Sequence, residues 1–92
     1  MSEEAQTPQG EVDPSFLTIL YTMATQAMIA LGEIANPLTK QVIVDEKQAR
    51  WHVKSLLILE EKTRGNLSDE ETKALEQVVT EIRQKFADKI GD

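Results

Sequence analysis

His52 is the only histidine in this 92-residue chain, and so the only side chain whose ordinary pKa lies near neutrality. Its neighbours three and four positions away on a helix are Gln48, Ala49, Ser55 and Leu56, none of them a good metal ligand or proton relay. A helical wheel sets it beside Ala49, Leu56, Leu59 and Thr63, on the inward face, and so as a buried or boundary residue. A metal centre would need at least three converging donors, and no such spacing occurs. Glu60 and Glu61 are adjacent, so on a helix they diverge by about 100° and cannot share a proton. Asp69, Glu70 and Glu71 fall in the first turn of a helix, where negative charge favours the helix dipole. Phosphate loops, nucleophile elbows and metal-binding helix motifs are absent from the sequence. The expectation is a protein without catalytic residues, cofactor or metal. An enzyme or small-molecule binder would instead need a pocket between helices near His52, Tyr21 and Glu60.

Trp51 suggests recognition rather than catalysis. It lies opposite the core stripe of its helix, seven residues before Ile58, with Lys47, Lys54 and Lys62 around it. A tryptophan supplies contact area, and neighbouring cations steer acidic partners. Ordinary packing would equally account for it, with the acidic third helix or a second subunit covering the ring.

The elements that position these residues can be read from caps and periodicity. Residues 1–12 hold Pro, Gly, Gln and Glu without apolar periodicity and read as a disordered acidic tail. Residues 13–92 read as one helical domain, with helices over about 14–32, 46–64 and 69–90. Asp13 is the expected N-cap of the first helix, with Pro14 at the first helical position and Gly32 as its stop. Asn36-Pro37 and the β-branched run Val42-Ile43-Val44 predict an extended strap or short strand. Asp45 with Gln48, and Ser68 with Glu71, have capping-box spacing, and Gly65-Asn66 ends the second helix. The third helix carries Leu75, Val78, Val79, Ile82, Phe86 and Ile90 on one face.

The first helix is more apolar than a small bundle needs. Nineteen residues from Pro14 to Gly32 carry no charge, in a chain that is 28% charged. Its apolar side chains fill an arc of about 200°, where a core-facing stripe a little over 100° wide would suffice. It could be the central helix, wedged between the other two under the strap. The fuller expectation is a homo-oligomer, with a dimer the simplest form, joined through Phe16, Leu17, Leu20, Tyr21, Ala24, Ala27, Met28 and Leu31. Small alanines there let backbones approach. The stretch does not read as a membrane span: its apolar part reaches about 24 Å against a hydrocarbon core of about 30 Å. Nor does it read as a membrane-surface helix, lacking Lys and Arg on its polar face.

Composition narrows the rest. A chain of this size has a marginal core, which oligomerisation often remedies. No cysteine is present, which fits a reducing, cytoplasmic setting and excludes thiol chemistry. The residues at the start, MSEEAQTPQGEVD, lack the basic region of a cleavable signal. The net charge of −6, without a continuous basic stripe, argues against nucleic acid as a partner.

Several segments resemble a bacterial family of short acidic proteins, the domain of unknown function 1844. They are Ala27 to Ile34 (AMIALGEI), Asn36-Pro37 with Thr39, Val44-Asp45, and above all Leu59 to Leu67 (LEEKTRGNL) followed by Glu70-Glu71. The resemblance spans roughly residues 15–88, with Lys54 standing where the family usually has an acid. It implies a small helical cytoplasmic protein and brings no activity with it. The chemistry of EKTRGNL is that of a turn: Gly65 permits the reversal, Asn66 can bond freed backbone, and Leu67 precedes the Ser68 cap. A surface epitope around Glu61, Lys62, Arg64 and Asn66 is the alternative use of the same residues.

The expected whole is an all-α three-helix subunit that self-associates through its first helix and works as an interaction module. The alternative is an adaptor docking a protein partner through Trp51, Ile58 and the surrounding lysines.

Overall fold

Ser15, not Asp13, starts the first helix. In the computed structural model, which describes residues 14–91, the Ser15 backbone is extended and its Oγ accepts from the Thr18 amide at 3.1 Å. The serine thereby satisfies one of the unpaired donors of the first turn, and α1 runs Phe16–Ala30. Pro14 stands before the cap rather than inside the helix, and Asp13 and the acidic tail lie outside the described residues.

The other end of α1 closes as a Schellman motif. The Gly32 amide donates to the Ile29 carbonyl at 3.0 Å and the Glu33 amide to the Met28 carbonyl at 2.9 Å. The reversal requires a left-handed residue, and Gly32 has φ +74°. The helix therefore ends two residues short of position 32.

From Gly32 the chain makes a loop, and of the two expectations for Val42–Val44, an extended strap or a short strand, no strand forms. The Asn36 side chain accepts from the Leu38 amide at 2.8 Å, and the Lys40 amide donates to the Asn36 carbonyl at 2.7 Å. The Asn36 amide in turn donates to the Gln41 carbonyl at 2.9 Å, drawing residues 36–41 into a tight reversal. Val42, Ile43 and Val44 then lead back toward α1 with their side chains largely exposed. A strand needs a neighbouring edge to pair with, and among the described residues no segment forms one.

Asp45 caps α2, Glu46–Thr63, its carboxylate accepting from the Gln48 amide at 3.1 Å. Only half of the expected box forms. The Asp45 amide donates across the loop to the Ala30 carbonyl at 2.8 Å, so Gln48 has no donor to reach back for. The full box forms at α3, Asp69–Lys89: the Glu71 amide donates to Ser68 Oγ at 3.1 Å and the Ser68 amide to Glu71 Oε1 at 2.8 Å. Gly65, at φ +85°, makes the turn between α2 and α3.

The three helices pack against one another pairwise. Asp45 meets the end of α1, and Glu33 pairs with Lys89 at 3.2 Å and Lys85 at 3.8 Å near the end of α3. α1 and α3 are therefore parallel and α2 antiparallel to both. Leu20, Leu31 and Leu56 are fully buried at the centre, joined by Ala27, Ala49 and the α3 stripe of Leu75, Val78, Val79, Ile82 and Phe86. Ile90 packs at the margin. The Arg50 guanidinium sits 5.1 Å from the Phe86 ring centroid, covering the core edge with a cation–π contact.

Candidate functional site

The core takes three of the eight residues expected to join copies of the chain. Leu20, Ala27 and Leu31 have no exposed surface, because α2, α3 and the loop close over them. Phe16, Leu17, Ala24 and Met28 are partly buried at the same core's margin. Tyr21 alone of the eight is half exposed, at 50%. The two neighbouring helices thus cover more of the apolar arc than its width suggests.

Two surfaces remain open. The first is the outer side of α1. Tyr21, Ala24, Thr25 and Met28 form one wall of a largely apolar groove of about 200 Å³ completed by Ile34, Val78, Glu81 and Ile82, while Ile19, 54% exposed, lies about 160° round the helix from Tyr21 and outside it. The threonines beside it are drier than their type suggests. Thr22 Oγ1 donates to the Thr18 carbonyl at 2.8 Å and Thr25 Oγ1 to the Tyr21 carbonyl at 2.9 Å. Their hydroxyls are engaged by their own helix, so the outward surface is largely methyl.

The second surface is the outer side of α2. Trp51 is 61% exposed and Ile58 56%. Among the described residues, neither α3 nor α1 covers the tryptophan. Its ring meets His52 edge-on, with centroids 5.0 Å apart. Lys47, Lys54 and Lys62 are exposed beside it.

His52 is half-buried, and burial disfavours its imidazolium, lowering its pKa below the usual 6.5. It lines a cleft of about 290 Å³ with Gln26, Asn36, Thr39, Gln41, Asp45 and Gln48 over Ile29 and Ile43. Tyr21 lies in the α1–α3 groove and Glu60 in a third depression beside Arg64, Gly65 and Thr72. Tyr21 and Glu60 do not join His52, since the three residues line three separate depressions, but the cleft at His52 does gather other polar groups around the imidazole. Among the described residues, no group of three or more His, Cys, Asp or Glu side chains is placed to hold a metal ion.

Residues 13–88 match the family described as Domain of unknown function (DUF1844). The chain belongs to that family. The match takes in α1, α2, α3 but for its last residue, and the EKTRGNL turn that carries the resemblance. No curated protein and no solved structure matches this DUF1844 member. Among the described residues no helix is long and apolar enough to cross a membrane.

Sequence reasoning missed the loop's contribution to the surface. Leu38 is 90% exposed, and Ile34, Val42, Ile43 and Val44 are exposed as well. The β-branched run Val42-Ile43-Val44 was the available signal.

Proposed function

We propose that this protein is a non-enzymatic interaction module whose subunits associate through the outer side of α1. The observation that carries this reading is the open groove of Tyr21, Ala24, Met28 and Ile34, its wall on α1 formed by a helix without a charge from Pro14 to Gly32. Two copies of a chain with net charge −6 repel one another, and the uncharged helix is where they can meet at least electrostatic cost. A two-fold arrangement would bury the same groove in both copies, with Ala24 allowing close approach. Sedimentation equilibrium over a range of concentrations tests it. The expected mass exceeds that of one chain, and Tyr21→Lys and Ile34→Lys reduce it to a monomer while Ile58→Lys does not. A folded wild-type monomer at every concentration would sink the proposal.

A second reading, favoured by the exposure of Trp51, is that the same module docks a protein partner on the outer side of α2. The two readings use separate faces, since the α1–α3 groove opens away from α2.

A further inference from the structure

Lys47, Trp51, Lys54, Ile58 and Lys62 fall within an arc of about 80° on α2. Trp51 and Ile58 are separated by two turns, about 10.5 Å along the axis, with a lysine before, between and after them. All five side chains are exposed, and among the described residues no ion pair engages the three ammoniums. The acids of α2 lie elsewhere: Glu46 pairs with Arg50 at 2.7 Å, Glu60 is on the opposite side, and Glu61 stands at the edge of the arc. The face is an apolar seam with one sign of charge along it.

Building on the docking reading of this face, we infer that its occupant is an acidic amphipathic helix of another protein. A helix crossing the seam offers apolar side chains at seven-residue spacing to Trp51 and Ile58, and carboxylates on the flanks to the three lysines. Among the described residues, a second copy of the chain does not offer this pattern. The exposed acids of α3, such as Glu70 and Glu76, have no exposed large apolar side chain beside them, and α1 exposes apolar side chains without charge. Glu81 at the Tyr21–Ile34 groove is one carboxylate against three ammoniums, and Glu33 is held by Lys85 and Lys89. A nucleic acid or an anionic membrane has the right sign but extends beyond the seam, where it meets the remaining charge of a −6 chain. A short acidic helix sees the seam alone.

The emission of Trp51, the only tryptophan, reports occupancy of this face directly. The full chain is titrated with a three-heptad helical peptide carrying one leucine and two glutamates per heptad on one face. Its counterpart with lysines, single-stranded oligothymidine and phosphatidylserine vesicles are run alongside. The expected result is a saturable blue shift with the glutamate peptide, weakened at least tenfold by Ile58→Ser and by Lys54→Glu. The variant with Lys47→Glu, Lys54→Glu and Lys62→Glu together transfers binding to the lysine peptide, and circular dichroism confirms that each variant is folded. Equal shifts with both peptides would keep the docking surface and overturn its acidic specificity. No shift with either peptide overturns both. A stronger shift with oligothymidine or vesicles assigns the face to that class instead. A blue shift that grows with protein concentration alone gives it to a second copy.

Discussion

A Cβ built on Gly32 lies 2.9 Å from Val44 Cγ2, so the end of α1 and the returning limb of the loop touch where only a hydrogen fits. The same residue has φ +74°, a conformation that side chains resist. Gly32→Ala combines both penalties and is expected to destabilise the fold by about 1–3 kcal/mol. In a double-mutant cycle by urea denaturation, Val44→Ala should recover the steric part and leave the backbone part.

The reciprocal pair at the start of α3 predicts a coupling. Ser68→Ala removes the acceptor for the Glu71 amide and is expected to cost about 1 kcal/mol. Glu71→Ala removes the acceptor for the Ser68 amide. The double variant should cost less than the sum of the two, since each side chain helps hold the turn that the other uses. Asp45→Ala tests an unreciprocated cap, and no such coupling is expected between it and Gln48→Ala.

Leu20 and Tyr21 are neighbours in sequence with opposite expected phenotypes. Leu20→Ala opens a cavity at a fully buried site and should lower unfolding free energy by about 2–5 kcal/mol. Tyr21→Lys should leave the thermal midpoint of the monomer nearly unchanged and alter solution mass alone. Calorimetry and sedimentation on both variants separate core from interface.

His52 gives the fold an acid sensitivity of definite sign. Burial lowers its folded pKa below the unfolded value near 6.5, so between those two values the unfolded chain binds more protons. The contribution to stability is fully present above about pH 6.5 and is lost as pH falls through the folded pKa. Replacing His52 with Gln should flatten the pH dependence of unfolding in that window, measured by urea denaturation across it.

The element boundaries were legible wherever a cap acts alone. Asp45, Ser68 with Glu71, and Gly65 each announced the turn they make. Ser15 was overlooked because Asp-Pro two residues earlier carries an equally good signal, and the hydrogen bond from Thr18 decides between them. The short strand allowed for at Val42–Val44 fails for a different reason. Val42-Ile43-Val44 has strand propensity, but propensity supplies no partner edge, and the backbone ties on either side of it join Asn36 to Gln41 and Asp45 to Ala30. The exposed α2 seam could be read from a wheel, since it lies on one helix. The open part of α1 could be read only in part, because how much of an arc its neighbours cover depends on how closely they pack. The His52 cleft joins three separate segments, and no spacing along the chain encodes it.

The Asp45–Ala30 hydrogen bond clasps both ends of the loop while its tip at Leu38 projects into water. A loop whose two feet are fastened to each other can be lengthened at its apex for little added closure entropy. The apex between Leu38 and Thr39 is therefore the natural place to splice in an epitope or a cleavage sequence. Such an insertion would read out on the surface while the register of α1 against α2 stays fixed by the clasp beneath it.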